Sequence, residues 1–230
     1  MSASGPGDRV ASTRDIAIYF REDCRPLRDS LQLEMVVAQY CVQIRDVRST
    51  SGVPVGDSVG AGVIAELEGH GDPLSNAILR GIADIGAGDV AKRAADAAAR
   101  LAERTVGVPT EFADVGKARA LGAWRTSEGA FEGEFVLFAE YEHPRGRRHS
   151  VALFVEPRRG GTVKHMGLIG PMDELGGTDP FHPSAMETVD LRDAGALIRQ
   201  LLERSYGPSA AHTDDFRALM ALARARAMIA

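Results

Sequence analysis

Six basic side chains, Arg145, Arg147, Arg148, Arg158, Arg159 and Lys164, fall within twenty residues of one another. Gathered on one surface they would bind phosphate, because each cation that neutralises a phosphate releases condensed counterions. His143 and His149 flank the first arginines, with Glu142 beside them, and His165 and His182 follow. Imidazoles grouped with a carboxylate supply metal ligands or general acid-base groups. Whether either chemistry is set up depends on the elements that position these residues.

From about residue 118 the sequence runs RALGAWR, EGEFVLFAEYE, HSVALFVE and TVKHMGLI, short stretches rich in aromatic and branched residues, separated by TSEGAF, HPRGRR and PRRGG. Connections this short predict an antiparallel meander of three to four strands. Consecutive turns of a meander lie at opposite ends of the sheet. Arg145, Arg147 and Arg148 are therefore expected roughly 25 Å from Arg158 and Arg159, at about 3.3 Å per residue of the intervening strand. The single cluster becomes two patches, and the plainer reading is solvated turns whose charges discourage edge pairing. Gly160 and Gly161 read as turn closure through positive φ.

The histidines divide in the same way. His143 and His149 are placed to face one another across the hairpin, whereas His165 lies nearer the other end, and the plainer reading leaves them exposed or singly hydrogen-bonded. The chain holds no HExxH, DxDxDG, Walker or dinucleotide-binding pattern, so no catalytic residue, metal ligand or cofactor is assigned. Asp214-Asp215 reads as helix capping, and Trp124, the one tryptophan, as core.

Helices are expected on either side of the strands. In LQLEMVVAQYCVQIRDV the spacing of Leu33, Val36, Val37, Tyr40, Ile44 and Val47 predicts a helix, although the alternation of Leu31, Leu33, Met35 and Val37 also suits a strand. STSGVPVGDSVG reads as a loop before a helix at VIAELEG. Asp72 and Pro73 start the best-marked helix, with Leu74, Ala77, Ile78, Ile82 and Ile85 as its stripe and Gly86 as its end. DVAKRAADAAARLAERT follows as an alanine-rich helix. After a polar loop, LRDAGALIRQLLERS and a helix capped by Thr213 close the chain. The strand centres are apolar on both faces: Phe135, Leu137, Ala139 and Tyr141 share one with Val151, Leu153 and Val155, while Val136, Phe138 and Phe154 point the other way. Helices are expected to cover part of each side.

With 44% hydrophobic and 26% charged residues, the 230-residue chain has enough apolar material for a core. Its formal charge of -5 argues against a surface that is basic all over. Cys24 and Cys41 form no CxxC pair and read as reduced, buried thiols. The first residues lack the apolar stretch of a secretory signal, and no run spans a bilayer, so a cytoplasmic protein without membrane contact is expected.

In VGAGVIAELEGHGDPLSNAILRGIADIG, LGAW, VALFVEPRRGGTVKH and TDDFRALMALARARA, the chain resembles a family of uncharacterised actinobacterial proteins without an assigned activity. The resemblance spans most of residues 30 to 227 and implies a shared architecture. That family has a strand ending in Val-Asp-His, a Gly-Gly turn and then Lys-Asp. Val155, Gly160, Gly161 and Lys164 match it, while Glu156, Pro157 and His165 replace the first acid, the histidine and the second acid. The turn-forming residues persist where groups able to move protons have changed.

The expectation is an α+β fold in which N-terminal helices and two C-terminal helices pack on the meander. Residues 1–12 form a flexible tail and 13–230 one domain, comprising a helical part 13–117, the meander 118–170, and a loop with the C-terminal helices 171–230. The expected function is a non-catalytic interaction or regulatory module with a protein partner, contacted through the hairpin turns and the loop at 170–188. One alternative is nucleic-acid binding through Arg145, Arg147, Arg148, Arg158, Arg159 and Lys164. Another is a metal-dependent or hydrolytic enzyme using His143, His149 or His165.

Overall fold

The computed structural model describes residues 12–49, 51–127, 134–159, 161–175, 186–205 and 213–230. Most of the tail expected at 1–12 lies outside these, but Ser12 caps helix α1 (Thr13–Cys24) in a reciprocal capping box with Asp15. The ambiguous apolar stretch is helix α2 (Ser30–Arg45), started by Asp29, whose carboxylate accepts from the Gln32 N–H. Helix α4 (Pro73–Ile85) begins and ends as expected, with Asp72 accepting from the Ser75 N–H. Helix α5 (Gly88–Glu103) is the alanine-rich one. Phe20, Leu33, Val37, Leu67, Ile78 and Leu101 are among the buried residues that hold these helices together.

Helix α3 (Gly56–His70) starts seven residues before the expected VIAELEG. Gly56 and Gly62 are contacts rather than loop signals. A Cβ on Gly56 would lie 2.6 Å from the Arg45 carbonyl oxygen, and one on Gly62 would lie 2.6 Å from the Thr13 side chain. Glycine lets α3 come this close to its neighbours, which outweighs its low helix propensity.

The sheet is antiparallel, in the order β4-β3-β2-β1-β5, built from β1 (Arg119–Arg125), β2 (Phe135–Glu142), β3 (Arg148–Glu156), β4 (Thr162–Ile169) and β5 (Glu187–Thr188). It has one strand more than expected. The addition is the two-residue β5, which pairs with Trp124 and Arg125 from within what reads as a loop. Helices α6 (Leu191–Ser205) and α7 (Asp214–Arg226) complete the α+β fold.

The two sheet faces divide as the alternation predicts. Leu137, Tyr141, Leu153 and Val155 pack against Ile198 and Leu202 of α6 and Met220 and Ala223 of α7. Val136 and Phe138 face the other way, but the cover there differs from the expected helix: Met172 and Leu175 lie over them, with Trp124 at the margin. Helix α7 belongs to both halves of the core, giving Ala218 and Leu222 to the helices and Met220 and Ala223 to the sheet. Both cysteines are free thiols, Cys24 buried and Cys41 half-buried. No helix among the described residues is long and apolar enough to cross a membrane.

Candidate functional site

Along the face of β2 and β3 that meets α7, the apolar ladder turns polar at the hairpin end. Tyr141 stands opposite His149 in register, and His143 follows just past the end of β2. The two imidazoles are stacked with centroids 5.6 Å apart, so they do face one another across the hairpin. Glu142 plays no part there. It points the other way and pairs with Arg119 at 2.6 Å.

The carboxylate that meets the histidines comes from α2. Both oxygens of Glu34 lie 3.2 Å from the Nε2 of His143, whose N–H donates to them, and one also accepts from the Gly116 N–H at 3.0 Å. Arg226, at the end of α7, forms an ion pair with Glu34 and reaches Asp84 of α4 at 3.4 Å. Glu34, Tyr141, His143, His149 and Arg226 are each at most 1% exposed. Five separate parts of the chain thus converge on one buried polar centre.

Its electrostatics follow from that burial. Burial pushes the Glu34 carboxyl up, but the hydrogen bond from His143 and the charge of Arg226 more than offset this and hold it below the usual range. Asp84 goes the other way, raised by burial that Arg226 offsets only in part. Burial, with the positive charge of Arg226 beside it, pushes His149 down to about 3, so the ring is neutral at physiological pH. Burial raises the Tyr141 hydroxyl to about 12. The Tyr141 hydroxyl, the His143 Nδ1 and both nitrogens of His149 have no hydrogen-bond partner in the structure.

A carboxylate that orients an imidazole is half of a nucleophile-activating arrangement. The other half requires a hydroxyl or thiol within reach and a route for substrate, and Glu34 and His143 are sealed inside. Among the described residues no three His, Cys, Asp or Glu side chains are grouped so as to hold a metal ion. The arrangement works as a clamp. It ties α2, α4 and α7 to the hairpin and to the loop at Gly116.

Above the clamp, the turn at 143–147 is fastened from outside. Arg145 donates through its backbone N–H and its Nε to Asp114, at 3.2 and 2.9 Å, and reaches the Thr110 carbonyl. Arg147 pairs with Asp29 at 3.2 Å, and Arg148 with Glu140 at 2.7 Å and Asp173 at 2.8 Å. Beside them a recess of about 510 Å³ opens between the hairpin and the end of β4, bordered by Arg147, Arg148, His149, Leu168, Pro171 and Glu174. No family profile, curated protein or solved structure matches the chain.

The second basic group is far from the first, as the meander requires. Arg158 is exposed at the β3–β4 connection, and Lys164 pairs with Glu134 at 2.8 Å. Gly161 takes φ +74, the turn geometry expected of it. Gly160, His182 and the side chain of Arg159 lie outside the described residues. His165 stands opposite Phe154, towards that end.

His143 and His149 are buried rather than exposed, because α2 and α7 close over the hairpin end; His143 is singly hydrogen-bonded, through Nε2 to Glu34, whereas His149 has no hydrogen-bond partner in the structure. Sequence reasoning also missed Glu34, Asp84 and Arg226. Glu34 had a signal, as the single charge in the apolar stretch LQLEMVV. Arg226 had none, since a basic residue in a last helical turn is fully explained by the helix dipole.

Proposed function

We propose that the protein is a non-catalytic, cytoplasmic interaction or regulatory module whose contact face is the hairpin end of the sheet. The observation that supports this is the fastening of the turn. Arg145, Arg147 and Arg148 are held by carboxylates from elsewhere in the fold, yet the first two remain 47% and 55% exposed. Charged groups ordered before a partner arrives lose less conformational entropy on binding. The neighbouring acids Asp29, Asp114 and Asp173 make the face mixed in sign, which suits a protein surface of complementary pattern better than a polyphosphate. The adjacent recess offers apolar contact at Leu168 and Pro171.

The test is affinity capture with the full chain from its native cell, comparing wild type with an Arg147→Glu/Glu174→Arg variant of unchanged thermal stability. Both side chains border the recess without entering the buried clamp. One protein retained by wild type and lost by the variant is the expected result. Salt-dependent nucleic-acid binding that the variant loses, or substrate turnover that disappears on changing His143 or His149, would overturn the reading.

A further inference from the structure

A cavity of about 290 Å³ lies elsewhere in the molecule, where the C-terminal halves of α2 and α4 meet the first turns of α3 and α5 and one side of α7. Along α2 its mouth at Arg45 is about 16 Å from Glu34, at roughly 1.5 Å rise per residue. It is therefore separate from the clamp and the hairpin face. Its volume is close to the lower end of the range for small-molecule sites, about 300 to 1,000 Å³. Close packing leaves few voids of this size inside a protein.

The lining is divided by polarity. Phe20, Val42, Val63, Ile64, Ile82 and Met220 supply apolar walls. Arg45, Arg217 and Arg224 all border the same space, with Asp57 and Asp89. Arg217 pairs with Asp46 and lies 3.8 Å from Asp214, Arg45 lies 3.7 Å from Asp46, and Asp89 pairs with Arg93 at 3.3 Å. Burial lowers the Arg45 pKa, and the charges of Arg217 and Arg224 lower it further, so both of those guanidiniums sit close enough to Arg45 to repel it.

Two helix N-termini add to the positive potential. The N-cap residues of α3 and α5, Val55 and Ala87, make no side-chain cap hydrogen bond. The first turns of both helices, at Gly56 and Gly88, border the cavity. Backbone N–H groups at a helix start carry partial positive charge and accept an anion readily.

We propose that this cavity binds a small amphipathic carboxylate, with its apolar body among the helices and its anionic head at Arg45, Arg217 and Arg224. A guanidinium fork matches a carboxylate in two parallel hydrogen bonds. The acids at the mouth already offset part of the positive charge, which favours a singly charged head over a phosphate dianion. The space suits roughly ten heavy atoms, at the ~30 Å³ that a water molecule occupies in the liquid. A straight-chain acid of that size fills it.

Isothermal titration of the full chain with octanoate, held below micelle-forming concentrations, tests the proposal, with octanol, octylammonium and inorganic phosphate as separate arms. Saturable 1:1 binding of octanoate is expected, at least tenfold tighter than octanol. It should weaken at least tenfold in Arg45→Gln/Arg224→Gln and be lost in Ala221→Trp, which fills the cavity from α7. Should the tryptophan variant not fold, the charge variant at the mouth still decides. No saturable octanoate binding, equal affinity for octanol, phosphate binding in its place, or octanoate affinity unchanged in the charge variant overturns it.

Discussion

Glu34 and Arg226, 192 positions apart in the chain, share an ion pair that is sealed from solvent on both sides. An isolated charge in such a place is far less stable than in water, and it is tolerated because the pair and its hydrogen bonds replace hydration. Removing one partner therefore costs more than removing both. Glu34→Gln or Arg226→Met is expected to lower the unfolding free energy by about 3–5 kcal/mol. Glu34→Leu combined with Arg226→Met should recover a large part of that loss. Urea unfolding of the three variants measures the difference, and a double variant no more stable than the worse single one would refute the clamp.

His149 sets an acid limit on the fold. Its folded pKa is about 3, against 6.5 when unfolded, so the unfolded chain binds a proton that the native chain refuses. The contribution of the neutral ring is complete above pH 6.5. As pH falls below 6.5 it is lost, with a slope approaching ~1.4 kcal/mol per pH unit, until the folded pKa is reached. Arg226, His143 and Arg147 oppose protonation, while Glu34 favours it. Asp84, raised by burial in the fold, titrates with the opposite sign, so the difference between wild type and a His149 variant, rather than the wild-type slope alone, isolates the imidazole. His149→Phe should flatten the stability profile in that window, and equal slopes in both proteins would sink the assignment.

The strands, their faces and the separation of the two basic turns were legible because they depend on period-two alternation and on short connections, both local properties. The helix-capping residues Asp72 and Thr213 were legible for the same reason. The clamp was not, since Glu34, Asp84, His143 and Arg226 meet only after α2, α4, the hairpin and α7 have packed. No spacing in the chain encodes that meeting. The start of α3 was misread because glycine signals two opposite things, a turn or a close approach, and only the neighbouring helix tells them apart.

Asp114 fastens the outside of the hairpin through the backbone and side chain of Arg145. Asp114→Ala should cost about 1–2 kcal/mol, because two hydrogen bonds accepted by a carboxylate are lost, both of them charge-assisted and one from a largely exposed guanidinium. The effect should be local. Amide hydrogen exchange at 143–147 is expected to speed up while the centres of β2 and β3 keep their protection. Uniform loss of protection across the sheet would show that the turn is not a separately fastened unit.

Gly56 gives a test in which two physical effects have opposite signs. Replacing a helical glycine by alanine ordinarily stabilises by about 0.5–1 kcal/mol, through the entropy of the unfolded chain. At Gly56 the new methyl would stand 2.6 Å from the Arg45 carbonyl oxygen and 2.8 Å from its Cα, both backbone atoms that no side-chain rotation can move aside. The overlap should win, and Gly56→Ala is expected to destabilise by about 1–3 kcal/mol, the usual cost of overpacking. Gly69, in the same helix, has nothing within 4 Å of the added atom. Gly69→Ala should therefore raise the melting temperature, and a rise in both variants would mean that α3 does not approach α2 as closely as the structure has it.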